Sequence, residues 1–192
     1  MEITRKVKYE EELDRQFLDQ VKEMSGCEEI DHCIQCGTCS SSCPMSVYMD
    51  YPPRKIIAMV KNGFKDEALH SFTIWLCSSC YTCQVRCPAK IKITDVMYAL
   101  KRMAIQEKVY PPRFSIPVLD KEMSKMIASN GRSSELWLIV NLYLKSLRPW
   151  AMLKMAPLGL KLMKTGRMSL KKEHIKDRKQ LRAVINGVKE LS

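Results

Sequence analysis

Apolar side chains recur along this chain at helical spacings and not in alternation. Leu13, Phe17, Val21 and Met24 follow one another at steps of four, four and three, one face of a helix that Gly26 is placed to end. Pro52 and Pro53 precede the run RKIIAMVKNG. A proline suits the first helical position because its missing amide has no partner there, so a helix is predicted from near Pro53 to Asn62-Gly63. Val96, Ala99, Leu100 and Met103 keep the stripe of an amphipathic helix, with Thr94 as the predicted N-cap. Leu136, Ile139, Val140, Tyr143, Leu144 and Leu147 line another face, and Pro149 and Pro157 punctuate a shorter Met- and Leu-rich segment. A last, strongly basic helix is predicted from about His174 to Lys189. No stretch shows convincing strand alternation, so the fold class is all-α.

The helical pattern is interrupted twice by one motif. Residues 33–44 read CIQCGTCSSSCP and residues 77–88 read CSSCYTCQVRCP, both C-x2-C-x2-C-x3-C-P. Cys33 to Cys77 and Cys43 to Cys87 are each 44 residues apart, and each block leads into a predicted helix. The duplication defines a domain over residues 31–110. It leaves an N-terminal helical extension, 1–30, and a C-terminal one, 111–192, set off by Pro111-Pro112.

Three cysteines at steps of three on a tight loop can direct their sulfurs at one cubane cluster, while a fourth, three residues on and followed by proline, points away. In bacterial ferredoxins of this spacing the fourth cysteine ligates the other cluster. That rule assigns Cys33, Cys36, Cys39 and Cys87 to one 4Fe–4S cluster and Cys77, Cys80, Cys83 and Cys43 to a second, which staples the two halves of the repeat together. Gly37 fits a close backbone approach, and Pro44 and Pro88 turn the chain away. Gln35, Thr38, Ser40, Ser41, Ser42, Ser78, Ser79 and Thr82 supply polar groups near sulfur, a lever on potential. Paired C-x2-C units also build zinc sites, but zinc takes four ligands from two separated pairs, whereas two complete four-cysteine runs occur here.

Composition sharpens this picture. The 192 residues hold nine cysteines, eight of them in the repeat, and the odd count argues against a disulfide framework. The N-terminus MEITRKVKYEEELDRQ has no apolar signal-peptide core and no stretch approaches the length of a bilayer span, so a reducing, cytoplasmic setting is expected. The formal charge is +11. It is uneven: residues 1–32 carry five basic and ten acidic side chains, 33–110 ten and five, and 111–192 seventeen and six. Two oxidised clusters on eight thiolates would lower the total to roughly +7. The C-terminal excess survives and suits docking to an acidic protein surface.

The remaining conspicuous residues read as packing. Cys27 is expected to be a small buried side chain, and His32, His70 and His174 show no metal spacing. Trp137, Trp150 and Tyr143 fit a subunit interface, as does the apolar segment from Leu136 to Met163, whose lysines and prolines also leave an interfacial membrane helix open. No phosphate-cradling glycine loop and no nucleophile–base arrangement is found. The chain reads as an electron conduit with no catalytic residue of its own.

The stretches CIQCGTCSSSCP, YPPRKIIAMVKNG and LCSSCYTCQVRCPAKIKITDVMYALK, with the tail NGRSSELWLIVNLYLK and a later Gly166-Arg167, resemble the C subunit of soluble heterodisulfide reductase from methanogenic archaea and related anaerobes. The resemblance implies two 4Fe–4S clusters in an α-helical ferredoxin domain, with the eight repeat cysteines as ligands. It implies electron relay from a flavin-containing A subunit to a catalytic B subunit that reduces the mixed disulfide of coenzyme M and coenzyme B. A hydrogenase or formate dehydrogenase would join the assembly, and the step would be coupled to ferredoxin reduction by electron bifurcation. The Cys-Cys pairs of the catalytic B subunit are absent, so the catalytic role does not transfer. An iron–sulfur subunit of a different anaerobic reductase is the alternative within the same chemistry. The succinate dehydrogenase type needs an N-terminal C-x4-C-x2-C region, and the first 26 residues hold no cysteine. From another class, a zinc-dependent nucleic-acid-binding module recruited by the basic tail remains open, with steeply salt-dependent affinity.

Overall fold

Proline and glycine punctuation places the helix after Pro52 as the pattern predicts, whereas the stripe from Leu13 to Met24 is helical only over Phe17–Lys22. In the computed structural model, which describes residues 8–110, 114–145, 149–166 and 174–190, the helix after Pro52 is Pro53–Lys61. Asn62 closes it, its side-chain amide donating to the Ala58 carbonyl at 2.7 Å. Gly63 then takes φ 77°, and a Cβ there would lie 2.7 Å from the Asp14 carbonyl oxygen. The turn needs glycine for both reasons.

The chain divides into two compact units, Met1–Tyr110 and Pro111–Ser192. The first contains α1 (Phe17–Lys22), α2 (Thr38–Ser41), α3 (Pro53–Lys61), α4 (Lys65–His70), α5 (Thr73–Leu76), α6 (Thr82–Val85) and α7 (Ile93–Gln106). No strand occurs among the described residues, and the fold is all-α. α7 is the centre of the unit: α1, α4, α5 and α6 all pack against it. Val96, Leu100 and Ala104 on its buried face are fully enclosed, as are Phe17, Val21 and Ile30 from the N-terminal segment and Ile56 and Val60 from α3. Phe17, Val21 and Ile30 therefore share one core with the cysteine repeat. The expected N-cap Thr94 instead lies inside α7, fully buried, because the helix starts at Ile93 after Lys92.

Asp50 fastens the approach to α3 onto the start of α5. Its carboxylate accepts hydrogen bonds from the Ser71 hydroxyl, the Phe72 and Thr73 amides and the Thr73 hydroxyl. Burial works against the charge, but Thr73, Phe72 and Ser71 outweigh it and hold the carboxyl below its ordinary pKa. A depressed folded pKa contributes stability that is complete above the unfolded value and is lost as pH falls through the folded one. Asp50→Asn is expected to cost roughly 1–3 kcal/mol at pH 7, through donors left underserved around buried Ser71 and Thr73. The gap to the parent protein should close under acid, as chemical denaturation in oxygen-free buffer can measure.

The second unit contains α8 (Ser115–Asn130), α9 (Glu135–Lys145), α10 (Pro149–Lys164) and α11 (Arg178–Glu190), with α9 and α11 on α8 and α10 on α9. Its core is thin: Met126 and Pro117 are buried, while Trp150, Leu153, Leu158 and Leu160 are exposed. Buried Glu122 on α8 bonds Lys145 and Asn141 of α9, and Lys145 holds its carboxyl below the ordinary pKa. Two expectations change here. Pro157 does not break the Met- and Leu-rich segment but sits inside α10. One amide bond is forgone, and the surrounding Ala, Leu, Met and Lys, strong helix formers, carry the helix through. The basic helix starts at Arg178 and not near His174, because the Asp177 carboxylate accepts from the Lys179 and Gln180 amides as an N-terminal cap. Leu147 and Pro111-Pro112 lie outside the described residues.

Candidate metal centre

Each cysteine block folds as a loop of alternating backbone hand followed by one turn of helix. Gln35 and Gly37 have φ of 56° and 83°; Ser79 and Tyr81, the residues 44 positions later, have 57° and 60°. Left-handed residues between successive cysteines curl the loop so that its thiols face inward from one side. A Cβ on Gly37 would meet nothing nearer than the Arg54 side chain at 3.7 Å, so the local requirement on this glycine is its φ.

The curled loops wall two recesses. The first is lined by Cys33, Cys36 and Cys39 from the first block and Cys87 from the second, with Ile57, Ile91 and Ile93 behind them. The second is lined by Cys77, Cys80 and Cys83 from the second block and Cys43 from the first, with Met49, Met97 and Thr94. The short helices α2 and α6 pack together and so bring each fourth cysteine to the opposite block. Four soft sulfur donors around an apolar void suit an iron–sulfur cube, whose ligands stand on its corners. Among the described residues no three or more His, Cys, Asp or Glu side chains gather closely enough for a single metal ion.

Polar groups meet the sulfurs in a matched way. Cys36 and Cys80 are exposed, and their sulfurs lie 3.4 and 3.5 Å from the Thr38 and Thr82 hydroxyls. Those hydroxyls, then the same residues' amides, hold both thiols below the ordinary pKa, which favours the ligating thiolate. Burial pushes Cys39 and Cys83 the other way. The Thr94 hydroxyl, fully buried in the wall of the second recess, partly offsets that burial at Cys83. Gln35 donates to the Cys33 sulfur at 3.4 Å. Of the other serines the sequence nominates, Ser40 works against burial at the Cys39 thiol and also accepts from the Arg54 amide, whereas Ser41 and Ser42 donate to the Thr38 carbonyl.

Cys27 lines neither recess. It is 1% exposed, and burial, then Asp95 and Glu28, push its thiol up to about 11. It is core, not chemistry. Two lysines escape the sequence reading. Lys61 donates to the Cys33 carbonyl at 3.1 Å, and Lys101 to the Cys77 carbonyl at 3.3 Å, so each block's first cysteine is fixed from behind by an ammonium group. They sit at different places in the repeat, so the 44-residue offset that reveals the cysteines conceals them.

Residues 29–91, about a third of the chain, match the family model described as a 4Fe-4S dicluster domain. The resemblance first seen in the cysteine runs is borne out among curated proteins, which are named as C subunits of heterodisulfide reductase. The C subunit of an H(2):CoB-CoM heterodisulfide,ferredoxin reductase of Methanothermobacter marburgensis is 38% identical over 100 residues, 52% of this chain and 54% of its own. An iron-sulfur C subunit of the CoB--CoM heterodisulfide reductase of Methanocaldococcus jannaschii is 42% identical over 80 residues, 42% of each chain. An Archaeoglobus profundus protein named as like the heterodisulfide reductase C subunit is 34% identical over 99 residues, 51% of this chain and 52% of its own. The chain spans about half the length of the curated relatives it matches.

Proposed function

We propose that this chain is the electron-transfer iron–sulfur subunit of a heterodisulfide reductase, relaying electrons between a flavin-containing subunit and a catalytic one that reduces the disulfide of coenzyme M and coenzyme B. The observation that carries the reading is the pair of four-cysteine recesses, each completed by a thiol from the other block. Cys33, Cys36, Cys39 and Cys87 would hold one 4Fe–4S cluster, and Cys77, Cys80, Cys83 and Cys43 the other. When bound, such a cluster supplies a one-electron carrier whose potential depends on charge, hydrogen bonds and burial.

The chain's own residues do the rest. Ile57, Ile91, Ile93 and Met97 back the recesses with apolar surface and keep water from their inner walls. Thr38 and Thr82 stabilise the outer thiolates, and exposed Cys36 and Cys80 leave one edge of each recess open to a partner. Residues 111–192, with seventeen basic and six acidic side chains, form the docking extension in this reading, and 1–30 the N-terminal flank of the ferredoxin-like region. Among the described residues no helix is long and apolar enough to cross a membrane.

Oxygen-free purification with metal analysis tests the reading. About eight iron atoms per chain and a brown colour that bleaches with dithionite are expected for two 4Fe–4S clusters. Zinc without iron would defeat it in favour of the nucleic-acid-binding module. Co-purification with a flavoprotein and a partner bearing Cys-Cys pairs, together with a hydrogenase or formate dehydrogenase, is expected. Partners lacking those features would assign the chain to another anaerobic reductase.

A further inference from the structure

The two recesses are built as a repeat, but their charges are unequal. Arg54, in the first turn of α3, lines the recess of Cys33, Cys36, Cys39 and Cys87. Among the described residues no carboxylate pairs with it. The position 44 residues later, on α7, is Tyr98, whose hydroxyl accepts from the Ser79 hydroxyl at 2.8 Å. Among the described residues no basic side chain lines the second recess. Lys61 stands behind Cys33 and Lys101 behind Cys77 at matching carbonyls, so these two ammonium groups are matched across the repeat. Arg54 has no cationic counterpart in the lining of the second recess.

Resting on the ligation proposed above, we infer that Arg54 is a potential-setting residue that makes the recess of Cys33, Cys36, Cys39 and Cys87 the electron-accepting end of the chain. A site with four thiolates gains one further negative charge on taking an electron. A guanidinium in its wall stabilises the reduced state more than the oxidised one, and so raises the potential. A tyrosine at the equivalent place adds no charge. Electrons entering beside Cys77, Cys80, Cys83 and Cys43 therefore run downhill towards the first block. Arg54 is exposed, so solvent screening limits the effect to a modest one.

Potentiometry followed by electron paramagnetic resonance on the full, iron-loaded chain separates the two one-electron steps. Arg54→Met is expected to lower the higher potential by about tenfold in the reduced-to-oxidised ratio, roughly 59 mV. Arg54→Lys should keep that potential, which a purely structural role for the planar group would not predict. Tyr98→Arg should raise the lower potential towards the higher, and this variant decides the matter should Arg54→Met fail to load iron. An Arg54→Met protein in which the lower potential falls, or neither moves, overturns the inference alone. So does a parent protein whose two steps coincide. A parent protein that binds no iron overturns the ligation reading as well, and iron content tells the two failures apart.

Discussion

Cys43→Ala is expected to strip the metal from the second cysteine block, although Cys43 belongs to the first. Of the cysteines of both blocks, Cys43, Cys77, Cys80 and Cys83 line the second recess. Iron should fall from about eight atoms per chain to about four. Alkylation with mass spectrometry then reads which thiols are released: Cys77, Cys80 and Cys83 should become reactive while Cys33, Cys36, Cys39 and Cys87 stay protected. Cys87→Ala should give the mirror image. Local ligation would reverse both patterns, with Cys43→Ala freeing Cys33, Cys36 and Cys39 instead. The effect should reach stability too. Metal binding is coupled to folding, and each crossed ligand joins segments 44 residues apart, so one lost cluster also loosens the packing of α2 on α6 that positions the other. Cys83→Ala should likewise lose one cluster and weaken its neighbour.

Which parts of this arrangement can be read from sequence follows from how local each cause is. The cysteine runs and the Pro53 helix depend on residues within a few positions of one another, so spacing and punctuation reveal them. Crossed pairing is legible only through a rule known for such runs, since nothing within one block says where its fourth thiol goes. Thr94 escapes the sequence reading because its residue type favours a cap, while tertiary burial against Cys83 in the wall of the second recess decides its position. Pro157 escapes it because a proline lowers the stability of a helix without always ending it. Arg54 reaches the first recess, and Lys61 and Lys101 the Cys33 and Cys77 carbonyls, from helices that their periodicity predicts. Their orientation toward a cysteine loop depends on how α3 and α7 pack, which no spacing in the chain encodes.

Phe17→Ala is expected to cost about 3–5 kcal/mol, the range for truncating a fully buried aromatic side chain. Phe17 lies far along the chain from most of what it helps enclose, in a segment that carries no cluster ligand and reads as an extension. Yet Phe17, Val21 and Ile30 are completely buried, Cys27 nearly so, and α1 packs on both α3 and α7. α3 backs the first recess through Ile57, and α7 begins at Ile93, whose side chain lines both. A cavity at position 17 therefore loosens the two helices that hold the walls apart at the right width. Denaturant unfolding in oxygen-free buffer should show a lower midpoint with an unchanged slope. Cluster loss on standing should quicken in the same variant while the initial iron content stays near that of the parent protein. A stability within about 0.5 kcal/mol of the parent, the range of ordinary surface substitutions, would mean that α1 sits on the ferredoxin-like core without supporting it.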